Sequence, residues 1–280
     1  MTALAEGRVT ANGVDFAYLE AGSGPLALCL HGFPDSAYSF RHLLPALADA
    51  GFHAVAPWTR GYAPTGLPGD GSYNSTVRGQ DAIALRDALG GGDDAVVVGH
   101  DWGALAAYTS VALQPAVWRR VVTMAVPPMG AVMRAFLSYP QIKRSFYMYF
   151  FQTPFADMVV PADDFAFIEG LWRDWSPGYD ATEDLTHVKD ALRDPANLSA
   201  ALGYYRAMFE GGPDASDDGP PTLYLHGRDD GCMGADLVEG SEEFLPAGSR
   251  AEIIDGAGHF LHLEKPAEVN RLIVDWLTAR

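Results

Sequence analysis

Short apolar runs alternate along most of the chain with stretches whose apolar residues recur at helical spacing. Residues 14–20 alternate loosely between apolar and polar, as in a strand with one buried face. With the strand before them they form a hairpin-like pair, closed by Ala21-Gly22-Ser23-Gly24-Pro25. Leu26–Leu30 is continuously apolar, which fits a strand buried on both faces. Phe40, Leu43, Leu44 and Leu47 then mark a helix, His53–Pro57 a second short strand, and Val77, Ala84, Leu85 and Ala88 a second helix that ends at Gly90-Gly91-Gly92. Val96-Val97-Val98 leads into a helix reaching about Leu113, followed by a strand over residues 121–126. Strands and helices alternating at such short intervals predict a mainly parallel sheet with helices on both faces.

The texture changes over residues 127–213. Aromatic and Met residues crowd in, including Phe136, Phe146, Phe150, Phe151, Phe155, Phe165, Phe167 and Phe209, more than half of the chain's 14 phenylalanines. No clear strand run occurs there, so the stretch reads as a helical cap inserted between two sheet strands. The predicted organisation is a core over residues 1–126 and 214–280, interrupted by the cap. A Gly- and Pro-rich loop over residues 211–221 returns the chain to the sheet. Residues 222–226 and 251–254 supply the last strands. Val269, Leu272, Ile273, Trp276 and Leu277 then stand on one face of a closing helix.

With 280 residues, 48% of them hydrophobic, the chain can bury a large core. A net charge of −17 argues against nucleic acid or an anionic membrane as partner. The acids are scattered, as on a solvated surface, and Asp93-Asp94, Asp163-Asp164 and Asp217-Asp218 read as loop positions. The two cysteines, Cys29 and Cys232, suggest neither a disulfide framework nor a metal site. No leader-like or 18-residue apolar run occurs, so a cytoplasmic protein is expected; a homodimer is left open.

The chemistry concentrates around Gly99-His100-Asp101-Trp102-Gly103. A strand, a polar residue between glycines at G-x-D-x-G spacing, and the small residues Ala104, Ala106 and Ala107 have the layout of a nucleophile elbow, in which a tight strand-to-helix turn presents one side chain. Asp101 occupies the place where serine is usual. Asp230 and His259 also follow strands, and because the C-terminal strand ends of a parallel sheet share one edge, the three groups can converge although they are far apart in sequence. A carboxylate gains little by attacking an acyl carbon, because the product is a reactive anhydride. On an sp³ carbon bearing a displaceable group it gives an ordinary ester, which His259, held by Asp230, can hydrolyse through water. The oxyanion then forms on Asp101, facing the backbone N–H groups of Phe33 and Trp102. The scheme needs no metal or organic cofactor.

Together, His31-Gly32-Phe33-Pro34, Gly99-His100-Asp101-Trp102-Gly103 and Gly258-His259 resemble the epoxide hydrolase and haloalkane dehalogenase branch of the α/β-hydrolases. The resemblance covers nearly the whole chain. It implies an α/β-hydrolase fold, with an eight-stranded, mainly parallel sheet and an inserted cap, and a small apolar epoxide as substrate. Epoxide hydrolases place two cap tyrosines over the nucleophile. The stretch from Phe146 to Pro154 is similar to the first tyrosine region and selects Tyr147, and Tyr204-Tyr205-Arg206 is similar to the second and selects Tyr205. Tyr149 and Tyr204 are close alternatives, as Asp229 is to Asp230. Phe33 stands where many dehalogenases carry a halide-gripping Asn, although the dehalogenase reaction remains the second reading; a ligand-sensing hydrolase fold without catalysis is the third. Ala104 and Gly231 depart from the family pattern, which commonly has Gly and Pro or Val there. Phe33, Trp102, Phe146, Phe151 and Met208 are expected to line an apolar substrate cleft. His31 is expected to position the oxyanion loop, His100 to pack against the sheet, and His262 to be structural or surface-exposed.

Overall fold

A computed structural model describes residues 3–213 and 219–279. Asp217 and Asp218, and part of the predicted returning loop, lie outside the described residues. The apolar runs form the strands of one sheet: β1 (Ala5–Ala11), β2 (Val14–Gly22), β3 (Leu26–Leu30), β4 (His53–Pro57), β5 (Val96–His100), β6 (Arg120–Met124), β7 (Thr222–Gly227) and β8 (Arg250–Ile254). Their order across the sheet is β1-β2-β4-β3-β5-β6-β7-β8. β2 pairs antiparallel with both β1 and β4, and every other pairing is parallel.

The period of two along each strand decides which face a residue serves. Ala27, Cys29, Val96 and Val98 join one core cluster, under helices Leu43–Asp49 and Pro266–Thr278. Leu26, Leu28, Leu30 and Val97 join the other, under helices Ser75–Ala88 and Trp102–Leu113. Every residue of β3 and β5 is buried, because helices cover both faces of the sheet centre. β2 alternates instead, in keeping with its position near the sheet edge.

Between β6 and β7 the described residues contain seven helices and no strand: Met129–Ala135, Tyr139–Arg144, Phe146–Phe150, Ala156–Val159, Ala162–Trp175, Thr182–Leu192 and Pro195–Arg206. Their starts follow capping rules. The Ser138 hydroxyl accepts from the Gln141 N–H, and Asp194 accepts from the Ala196 N–H with Pro195 in the first turn. Asp163 and Asp164, expected in a loop, fall within the helix Ala162–Trp175. They nevertheless have left-handed backbone (φ 51° at each), as does Phe165 (φ 65°), so the turn signal is real while its flanks remain helical. This insertion leaves the sheet at the C-terminal end of β6 and packs over that edge. Tyr147, Phe151, Trp172 and Tyr205 belong to the same buried cluster as Phe33 and Trp102. No described helix is long and apolar enough to cross a membrane.

Candidate active site

Because β3, β5, β7 and β8 run parallel, the residues that follow them meet at one edge. Asp101 follows β5 and precedes the helix Trp102–Leu113, with φ 52° and ψ −119°. That backbone is strained for a residue with a side chain and is held by its surroundings. The turn closes only because Gly99, Gly103 and the facing Gly32 lack side chains. A Cβ on Gly103 would lie 1.9 Å from the Leu30 carbonyl oxygen, one on Gly99 2.3 Å from that of Gly103, and one on Gly32 2.1 Å from Asp101 Oδ1. Ala104, in contrast, fits at 0% exposure.

The Phe33 N–H donates to Asp101 Oδ1 at 2.7 Å, and the Trp102 N–H faces the carboxylate. These are the two backbone donors expected of the oxyanion site. His31 holds the Phe33 loop: its Nδ1–H donates to the Gly32 carbonyl at 2.9 Å, and its Nε2 accepts from the Thr59 N–H at 3.0 Å. His259 Nδ1 donates to Asp230 Oδ2 at 2.9 Å, while Nε2 faces Asp101 Oδ2 at 3.7 Å and has no hydrogen-bond partner. Asp230 is buried, and its Oδ1 accepts from the N–H groups of Cys232 (2.7 Å) and Met233 (2.9 Å). Asp229 is exposed and turned away, so the structure places Asp230, of the two, against the histidine.

Burial sets the electrostatics. It pushes Asp101 above the ordinary carboxylate range, against the pull of His259, His100 and the two N–H groups. Burial acts the same way on Asp230, but His259, His226 and the Met233 N–H outweigh it and leave this acid below the ordinary range. Burial alone would lower His259; the carboxylates of Asp230 and Asp101 reverse that and raise it.

The paired tyrosine alternatives separate cleanly. Tyr147 is fully buried and its hydroxyl lies 3.2 Å from Cys232 Sγ, whereas Tyr149 is 43% exposed. Tyr204 spends its hydroxyl on the Arg60 carbonyl at 2.7 Å, whereas the buried Tyr205 hydroxyl has no partner. The rings of Tyr147 and Tyr205 are 5.6 Å apart, and Phe33, Trp102 and Phe151 pack edge-on against Tyr205 at 4.9–5.2 Å. Burial pushes both phenols well above the ordinary tyrosine range, so they stay protonated. Met208 packs partly buried against the main core. Phe146 stands apart: it is 50% exposed and lines an outer hollow with Pro140, Lys143 and Trp175.

Sequence reasoning gave Trp175 no place in the site. Its carbonyl accepts from the N–H groups of His259 (3.0 Å) and Gly231 (3.1 Å), and its ring lies 5.0 Å from that of His259 and 4.9 Å from that of Tyr147. The available signal was Gly231 itself. A Cβ there would lie 1.9 Å from the Asp174 carbonyl oxygen, and one on Gly258 2.6 Å from that of Trp175. Both loops carry glycine because the end of helix Ala162–Trp175 presses on them.

A family model described as alpha/beta hydrolase fold matches residues 25–266. The chain belongs to the α/β-hydrolase family. Within that family it is 30% identical over 277 residues to AB hydrolase superfamily protein YfhM of Bacillus subtilis, covering 96% of each chain. To Epoxide hydrolase A of Mycobacterium tuberculosis it is 30% identical over 321 residues, covering 99% of this chain and 98% of the other. The crystal structure of an epoxide hydrolase from Bacillus megaterium in complex with an inhibitor superposes with a TM-score of 0.86 at 27% identity, covering 98% of this chain and all of that one. This α/β-hydrolase therefore sits among the family's epoxide hydrolases in both sequence and structure. Among the described residues, two groups of buried side chains come within metal-ligating distance of one another: Asp35, His100 and His262, and Asp230, Cys232 and His259. The second is the acid–histidine pair with its adjoining thiol, already engaged in the hydrogen bonds above. His262 Nε2 meets the Ser39 hydroxyl at 2.8 Å, and His100 Nε2 donates to the His259 carbonyl at 2.9 Å.

Proposed function

We propose that the chain is an epoxide hydrolase that forms a covalent ester on Asp101 and releases a vicinal diol. The observation that carries this reading is an aspartate in a nucleophile turn with a buried phenol, Tyr205, packed against the two residues whose N–H groups face it, Phe33 and Trp102, and a second, Tyr147, packed against the first. Oδ1 is held by the Phe33 N–H, which leaves Oδ2 to attack an epoxide carbon from behind the C–O bond that breaks. The ring oxygen takes a proton from Tyr147 or Tyr205 as it leaves, since an alkoxide is a poor leaving group unless protonated. Water then loses a proton to His259 Nε2 and attacks the ester carbon of Asp101. The tetrahedral oxyanion forms on Oδ1, against the Phe33 and Trp102 N–H groups. Collapse expels the diol oxygen, which takes the proton back from His259, and the water's second proton, left on the Asp101 carboxyl, returns to the phenolate. The Asp230 carboxylate keeps His259 in the tautomer whose Nε2 lone pair faces Asp101, and balances the imidazolium charge.

We place this chemistry beneath a helical cap closing over the core, with Asp101, Asp230, His259, Tyr147 and Tyr205 catalytic, on a small apolar epoxide, in a cytoplasmic enzyme. Incubation with styrene oxide tests it. The wild-type protein is expected to yield phenylethanediol, and Asp101→Asn to lose at least about 10³-fold in kcat/KM. Bromide release from 1-bromobutane without diol formation would favour a dehalogenase instead.

A further inference from the structure

Helix Ser75–Ala88 runs behind the turn that carries Asp101 and brings Arg78 to it. Arg78 is 5% exposed, and its guanidinium carbon lies 4.3 Å from the centre of the Trp102 ring and 4.8 Å from that of Tyr204. Phe16, Leu30, Ala82 and Leu85, with Arg60 and Asp81, border a small cavity beside it. A buried arginine usually brings a carboxylate with it, because an unpaired charge out of water is strongly unfavourable. Here Asp81 is taken by Arg60, at 2.6 Å to each oxygen, and by Asn12 at 2.7 Å. Among the described residues no carboxylate forms an ion pair with Arg78, and its Nη1 has no hydrogen-bond partner. Its Nε reaches only the Asn74 carbonyl, at 3.4 Å. Two π faces hold this cation in place.

Trp102 links that cation to the reaction. Its backbone N–H faces Asp101, and its indole packs at 4.9 Å against Tyr205. The indole N–H and the Tyr205 hydroxyl are both buried and free of other partners. A cation on one face of an indole draws electron density from the ring and makes its N–H a better donor. Its charge also favours negative charge developing on the far side of the ring.

We propose that Arg78 is a positioning residue for the reaction proposed above, fixing the Trp102 indole against Tyr205. The inference rests on that reading of Tyr205 and Asp101.

The test compares Arg78→Met, which keeps length and removes charge, with Arg78→Lys, alone and with Tyr205→Phe, on styrene oxide. Arg78→Met is expected to lose about tenfold in kcat/KM while its melting temperature holds or rises, since replacing an unpaired buried charge with an apolar side chain does not destabilise. Arg78→Lys is expected to recover part of the loss, and in the Tyr205→Phe background Arg78→Met is expected to cost less than twofold. Wild-type kcat/KM in Arg78→Met overturns the proposal. So does a loss matched by a fall in melting temperature, or one undiminished by Tyr205→Phe. Full activity of Tyr205→Phe alone counts against the phenol's role itself, and is read from that variant without reference to Arg78.

Discussion

Two adjacent tyrosines, Tyr204 and Tyr205, are both buried yet differ in what their hydroxyls face. The Tyr204 hydroxyl is consumed by the Arg60 carbonyl, and that of Tyr205 has no hydrogen-bond partner. Phenylalanine at each position should therefore separate structure from chemistry. Tyr205→Phe is expected to lower kcat/KM on styrene oxide by about 10²-fold, the usual scale of general acid catalysis, with stability little changed. Tyr204→Phe is expected to lose about 1 kcal/mol of stability in urea unfolding, for one hydrogen bond, and to keep its kcat/KM within a few-fold. At this scale the sequence was informative where a residue's chemistry is local. An aspartate between glycines announces its turn whatever lies around it. The sequence was silent where a role depends on a distant element: nothing beside Trp175 marks its carbonyl as the acceptor for the loops of Asp230 and His259, and nothing beside Arg78 marks the indole on which it rests.

Among the elements, the strands were the most legible, because a strand buried on both faces must be continuously apolar, as Leu26–Leu30 and Val96-Val97-Val98 are. Their order was less so. The position of β4 between β2 and β3 is set by crossover packing, which leaves no mark on the apolar pattern. The left-handed backbone at Asp163–Phe165 shows another limit, since an Asp-Asp pair reads as a loop although the flanking residues stay helical. The strand-to-helix turn at Asp101 is fixed by contact distances, and this makes it testable. Gly103→Ala would drive a methyl group into the Leu30 carbonyl. It is expected to destabilise the fold by about 3 kcal/mol, the upper range for overpacking, read as a lower urea midpoint. Ala104→Gly, one residue on, changes a position that already accommodates its methyl group and should lose no more than about 1 kcal/mol.

For the molecule as a whole, the acidic net charge and the burial of the site serve different ends. The charge is spread over the surface, while Asp101, Asp230 and His259 are 0–6% exposed beneath a lining of Tyr147, Phe151 and Tyr205. A dry site strengthens each charge contact within it, which is why two carboxylates can raise His259 although its burial opposes this. A base raised in this way stays protonated to higher pH, and is free to accept a proton only above its raised value. The central claim is that the reaction passes through an ester on Asp101 that His259 is needed to hydrolyse. The most direct test is His259→Gln incubated with styrene oxide, followed by digestion and mass spectrometry. The account predicts that the peptide bearing Asp101 gains the mass of one substrate molecule. An unmodified Asp101 peptide, in a variant shown to bind the substrate, would contradict it.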